Sequence, residues 1–232
     1  MCTLTYMPTR KGFIFTHTRD ESPGRPASKK LQERSTNSGK MHFPQDLQAH
    51  GTWMALGNNR AACILNGGSK PYPPKDKYPV SRGNIIPSLF EHNSTQAFYD
   101  QHNFAPYEPF TLIVREGQQL FQLIHDPDQN ELIAHNYAEV NIWSSTKLYP
   151  PEERQKRQEQ FYNWLAQNPK PAAAEIKDFH LRGQENENSP GFRIKVKGLI
   201  ETVSLTQIEV TESESSIFYQ HLSGMESDFV RV

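Results

Sequence analysis

Two runs near the start of the chain, Cys2–Met7 and Gly12–Thr18, mix threonine with aliphatic and aromatic residues as half-buried strands do. Pro8-Thr9-Arg10-Lys11 between them predicts a hairpin. Asp20–Leu47 is polar and rich in Pro, Gly, Ser, Lys and Asn, which predicts a long surface excursion with little core of its own. Strands are expected at Thr52–Leu56 and Ala61–Leu65, around the turn-forming Gly57-Asn58-Asn59-Arg60. The four prolines of Gly67–Tyr78 predict a loop. A helix is expected from about Pro87 to His102, since Ile86, Leu89, Phe90, Asn93, Ala97 and Phe98 fall on one stripe.

Further on, Thr111–Val114 and Leu120–Ile124 flank Arg115-Glu116-Gly117-Gln118 as a second hairpin, and Leu132–His135 and Val140–Ser144 read as short strands. Helices are expected over Pro151 to about Gln167, with Phe161, Trp164 and Leu165 inward, and over Ala172–Leu181. Arg154, Lys156 and Arg157 alternate with Glu152, Glu153 and Glu159, the pattern of a solvated helix face. A polar loop over Gly183–Gly191 precedes strands at Arg193–Lys197, Leu199–Val210 and Ser216–Leu222. Clustered hairpins without strict β-α alternation point to an α+β fold with antiparallel sheets.

Composition narrows the function classes. Across 232 residues, 25 Lys and Arg against 26 Asp and Glu give a net charge of −1. Such a balance argues against holding nucleic acid or anionic lipid by bulk charge. The mean hydropathy of −0.74 is polar, yet 13 Phe, 9 Tyr and 3 Trp suffice for a core in one domain spanning 1–232. No apolar run approaches the ~20 residues of a membrane span, and no secretory signal is visible. A cytoplasmic protein with free thiols is expected; its two cysteines are too few for a disulfide framework or a thiolate zinc site. The nine histidines show no metal-ligand spacing, and glycine motifs for phosphates or dinucleotides are missing, so neither metal nor cofactor is expected.

Cys2 carries the most information. Met1 precedes a small side chain, a setting in which initiator methionine is normally removed, leaving a thiol and a free α-amine on one residue. With the amine near pKa ~7.7–8.0 and the thiol near ~8.5, the amine can serve as general base for its own side chain. An inert, half-buried Cys2 fits its position as well. If the first two strands pair, Arg19 and Asp20 of Thr18-Arg19-Asp20-Glu21 come within reach of Cys2, the carboxylate holding the α-ammonium and the guanidinium lowering the thiol pKa. The other reading of that tetrad is a surface ion pair. Asn66, at a strand end before Gly67-Gly68, could donate its amide to an oxyanion or simply open a glycine turn. Cys63, in an apolar strand, reads as core.

Met1-Cys2-Thr3-Leu4, Gly12–Phe15, Thr18-Arg19-Asp20-Glu21, Arg25-Pro26, Gly51-Thr52-Trp53-Met54-Ala55-Leu56 and Ala61–Asn66 together resemble the NRDE family, which includes the transport and Golgi organisation 2 proteins. That family is similar to the N-terminal-nucleophile hydrolases of the bile salt hydrolase and penicillin V acylase type. The resemblance implies a four-layer αββα sandwich of two antiparallel sheets and cleavage of a linear, non-peptide C–N amide bond. It implies Cys2 as nucleophile and base, Arg19 and Asp20 as its supporting pair, and Asn66 as oxyanion donor. Three positions depart from the pattern. Thr18 stands where the family has Asn, Ser145 stands where the hydrolases place a second catalytic Asn, and Glu201–Thr206 offers no match for their late catalytic Arg.

A small-molecule amide hydrolase is therefore the leading expectation. A non-catalytic carrier of an amphipathic ligand, of the haem or acyl-CoA kind, is the alternative, because a binding cleft needs neither Ser145 nor the late Arg. A scaffold for protein partners is the third. Oligomeric state is not legible.

Overall fold

The computed structural model describes residues 2–57, 59–70, 72, 78–182, 191–196, 198–224 and 226–232. Two antiparallel sheets stack face to face. The first is built on the opening hairpin of β1 (Cys2–Thr9) and β2 (Gly12–Glu21). The second begins with β3 (Gln32–Thr36) and β4 (Gly39–Phe43), and continues through β5 (Met54–Gly57), β6 (Arg60–Asn66), β7 (Phe110–Glu116), β8 (Gln119–His125) and β9 (Asn130–His135) in chain order. The chain then returns to the first sheet as β10 (Asn141–Ser144), β11 (Lys195–Val196), β12 (Ile200–Val210), β13 (Ser215–His221) and β14 (Glu226–Arg231), giving the order β10-β1-β2-β12-β13-β14 with β11 beside β12.

Alternation along β1 separates two interiors. Cys2, Leu4 and Tyr6 join Phe13, Phe15 and the residues of β5–β7 in the core between the sheets. Met7 and Ile14 face the other way, against Phe161 and Trp164 of α3 (Pro151–Gln167) and Ile176 and Phe179 of α4 (Ala173–Leu181). Two shorter helices, α1 (Ile85–Phe90) and α2 (Thr95–Gln101), belong to the second sheet's side, with α1 against β6. The layering is αββα, as the family resemblance implies.

Three expectations change. The segment 20–47 is no coreless excursion: it carries β3 and β4, and Met41 and Phe43 are fully buried. The helix expected over 87–102 is two helices. Arg60 reaches the carbonyls of Leu89 (2.9 Å), His92 (3.1 Å) and Asn93 (3.0 Å), satisfying the end of α1, and the Ser94 hydroxyl accepts from the Ala97 amide at 3.0 Å to start α2. Arg157 is not on a solvated face but fully buried. Half of the loop expected over 67–78 and nearly all of the polar loop over 183–191 fall outside the described residues. No helix among the described residues is long and apolar enough to cross a membrane.

Candidate functional site

The register of the opening hairpin pairs Cys2 with Arg19, and that of β2 with β12 pairs Arg19 with Ser204. Cys2 and Arg19 therefore share the face that looks toward the second sheet. From that sheet come Asn66, at the end of β6, and Trp53, just before β5. Cys2, Arg19, Asn66 and Trp53 line one cavity of about 100 Å³, together with Asp46 and Arg25 from the segment preceding β5.

Arg19 is held from two sides. Its guanidinium carbon sits 4.4 Å from the Trp53 ring centroid, and its Nη2 donates to Asp46 Oδ2 at 2.8 Å. Arg25 Nε donates to the same oxygen at 2.6 Å. Burial alone would lift the Asp46 carboxyl, but the Arg25 hydrogen bond, the Ala49 amide and the charges of Arg25 and Arg19 hold it below its ordinary value. Arg19 Nη1 is buried and has no hydrogen-bond partner among the described residues. One guanidinium edge is thus spent on Asp46 and one nitrogen is spare.

Asp20 goes elsewhere. A period of two along β2 turns it to the opposite face from Arg19. There the Tyr149 hydroxyl donates to Oδ2 and the Thr202 hydroxyl to Oδ1, both at 2.6 Å. Even so, burial raises the Asp20 carboxyl above its ordinary value, against those two hydrogen bonds and the charge of Arg157. Burial and the Asp20 carboxylate drive the Tyr149 phenol far up, so it remains a donor. Arg157 lies 4.0 Å over the Tyr149 ring and donates through Nη1 to Thr3 Oγ1 at 3.2 Å. The opening strands are therefore braced on the face opposite the Cys2 thiol by a buried Asp20–Tyr149–Arg157–Thr3 set.

Burial pushes the Cys2 thiol above its ordinary value and the Asp20 carboxylate adds to this, while Arg19 pulls the other way. The thiol is consequently protonated at neutral pH unless a base takes its proton. Ser145 is fully buried beside it: its amide donates to the Cys2 carbonyl at 2.9 Å and its hydroxyl to the Asn66 carbonyl at 2.7 Å. Ser145 thus ties the start of β1, through its amide, to the end of β6, through its hydroxyl, and that hydroxyl is not aimed into the cavity. The Asn66 carboxamide makes no hydrogen bond among the described residues and is half-buried at the cavity wall. Cys63 is buried in β6 with its thiol pushed far up by burial. Among the described residues no three His, Cys, Asp or Glu side chains group as a metal site.

Sequence reasoning places Arg19 beside Cys2 and Asn66 near it, but misses four members of the site. Arg157 carried a signal: it stands one turn before Phe161 and two before Trp164, on the apolar stripe of α3. Tyr149, Trp53 and Asp46 reach the site only through tertiary packing.

Comparison with known proteins gives the fold and the family. A search of the curated proteins returned no match. Among solved structures, the chain resembles a penicillin V acylase from Agrobacterium tumefaciens with a TM-score of 0.54 at 11% identity, covering 99% of this chain and 86% of that one. At that identity the likeness shows the fold, that of an N-terminal-nucleophile hydrolase, and no more. The family model described as Transport and Golgi organisation 2 matches residues 1–226. The chain belongs to the Transport and Golgi organisation 2 family.

Proposed function

We propose that the protein, read as one domain over 1–232, is a cytoplasmic cysteine hydrolase of linear, non-peptide C–N amide bonds. The observation that carries this reading is the convergence of Cys2, Arg19 and Asn66 on one small cavity. The raised thiol pKa defines what the mechanism needs, namely a base adjacent to Sγ. Removal of Met1 would supply it as the α-amine of Cys2 itself.

In the proposed cycle the α-amine takes the thiol proton and Sγ attacks the amide carbonyl carbon. The oxyanion is met by the Asn66 carboxamide N–H, with the spare Arg19 nitrogen adding positive charge. Collapse of the tetrahedral species expels the amine, which leaves with the proton held on the α-ammonium. Water, deprotonated by the same amine, then attacks the thioester, releasing the carboxylic acid and restoring the thiol. Asp20 acts as a positioning residue from the opposite face of β2, and Ser145 by fastening Asn66 to β1. A cavity of about 100 Å³ suits a short acyl group. Acetyl and butyryl amides form the first panel, with penicillin V, which the acylase neighbour is named for, as a bulkier comparison.

The test is release of amine from that panel by protein whose N-terminus has been processed. Turnover abolished by Cys2→Ala and reduced at least a hundredfold by Asn66→Ala supports the reading. Turnover that survives Cys2→Ala overturns it. A second reading, a carrier of an amphipathic ligand such as haem or an acyl-CoA, is favoured by one observation: the Ser145 hydroxyl is committed to the Asn66 carbonyl and leaves only one side-chain amide at the cavity. A stoichiometric ligand seen by absorbance or native mass spectrometry, with no turnover, would select it.

A further inference from the structure

Four arginines are almost completely buried among the described residues: Arg19, Arg60, Arg115 and Arg157. Three of them have a carboxylate within reach, Arg19 with Asp46 at 2.8 Å, Arg60 with Glu116 at 3.3 Å and Arg157 with Glu153 at 3.4 Å. Arg115, only 6% exposed, has none among the described residues. Its Nε donates to the Tyr6 hydroxyl and its Nη1 to the Gln119 carbonyl, both neutral acceptors, at 3.3 Å each. Ring faces lie to either side, Phe13 with its centroid at 5.4 Å and Tyr137 at 4.9 Å. A guanidinium withdrawn from water without an anion is costly, which makes the space beside Arg115 worth inspecting for an anion site.

That room exists. Arg115 lines a cavity of about 680 Å³ at the hairpin-turn pole of the sandwich. Cys2 begins β1 and Thr9 ends it, so this cavity and the Cys2 cavity lie at opposite ends of the strand, about 20 Å apart at strand rise. The volume falls in the range of small-molecule sites. Phe13 and Leu56 give it an apolar floor; at the rim Lys11 is neutralised by its pair with Glu212, which leaves Arg10 as the added positive charge.

We infer that this polar cavity is a second binding site, independent of Cys2, for an amphipathic carboxylate whose head pairs with Arg115 and whose apolar body lies on Phe13 and Leu56. Arg115 has Nη2 left over after its two neutral bonds, which gives the head a charge-assisted donor in a sheltered place. Tyr137, half exposed, forms the wall the body would slide past. The inference goes beyond the proposed hydrolysis and does not depend on it.

The test is equilibrium dialysis of the full-length protein with decanoate, and with decanol as the uncharged counterpart. Decanoate should bind with one-to-one stoichiometry and at least tenfold more tightly than decanol. Arg115→Gln should weaken it at least tenfold. Ala138→Trp, an exposed position on the cavity wall, should weaken it comparably without touching a buried charge. Cys2→Ala should leave it unchanged, which separates this site from the proposed catalytic one. Absence of decanoate binding, equal affinity for decanol, binding indifferent to Ala138→Trp, or loss of binding in Cys2→Ala would each overturn the inference.

Discussion

Tyr149 and Asp20 are buried partners, the phenol donating to Oδ2 at 2.6 Å while Thr202 occupies Oδ1. The carboxylate is fully buried and depends on these two hydroxyls for its solvation. Removing one leaves a buried acceptor short of a donor, a loss of about 1–3 kcal/mol. Tyr149→Phe should therefore lower the urea midpoint at neutral pH with an unchanged m-value. Asp20→Asn combined with Tyr149→Phe should recover part of the loss, because the charge that needed the phenol is gone. A Tyr149→Phe variant as stable as the parent would show that Asp20 is solvated in another way.

Arg157 makes the second prediction. It is wholly buried, stacked 4.0 Å over Tyr149 and bonded to Thr3 in the first strand. Its planar fork does two jobs that an ammonium cannot do together. Arg157→Lys should cost about 2–4 kcal/mol in chemical denaturation, close to the cost of Arg157→Gln. A lysine variant of parental stability would mean that charge alone, without the plane, holds this side of the site.

The acid limb of stability follows from the histidines. Burial, with the charge of Arg157, pushes His180 down to about 3, and its Nε2 bonds Thr5 Oγ1 at 2.8 Å. A histidine depressed in the folded state takes up its proton more readily when unfolded. Its stabilising contribution is therefore full above its ordinary value of 6.5 and is lost as pH falls toward 3. The slope is at most about 1.4 kcal/mol per pH unit for each such group. His17, fully buried and also depressed by burial, adds to the same limb. His180→Gln should flatten the fall of denaturation free energy between pH 6.5 and pH 3. An unchanged slope in that variant would assign the acid sensitivity elsewhere.

Gly67 fixes the chain immediately after Asn66. Its φ of +93° lies in the region open to glycine, and a Cβ there would meet Thr146 Oγ1 at 2.2 Å and the Lys147 amide at 2.8 Å. Gly67→Ala should destabilise by more than 2 kcal/mol. It should also impair any turnover that uses Asn66 by more than Thr111→Val, which removes only a hydroxyl bond to the Gly67 carbonyl. Equal effects of the two would deny Gly67 a role in setting the Asn66 position.

Hairpins and helix starts were legible where local chemistry decides. Pro151 opens α3 and Ala173–Leu181 forms α4 within a residue of expectation, and the β7–β8 turn falls at Glu116–Gln119. What local pattern could not give was decided by distant groups. β3 is an exposed edge strand of sequence QERST, and its polarity reads as loop until β4 is seen to pair with it. The break between α1 and α2 depends on Arg60, some thirty residues away. β14 is not legible in the sequence: ESDFVR alternates weakly and Phe229 is half exposed at the sheet edge. At the site, hairpin register was enough to set Arg19 opposite Cys2, and the same period of two sends Asp20 to the other face. Trp53 and Asp46 arrive from the second sheet's side, and no spacing in the sequence joins them to Arg19.

The central claim is that Cys2 becomes an acyl acceptor once Met1 is gone. Intact-mass spectrometry of protein expressed in cells with normal methionine processing, recorded during incubation with a butyryl amide, tests it most directly. The account predicts the mass of the chain lacking Met1 and a transient second species heavier by one acyl group, absent in Cys2→Ala. Retention of Met1 in all of the protein, or an acyl adduct that persists in Cys2→Ala, would contradict it.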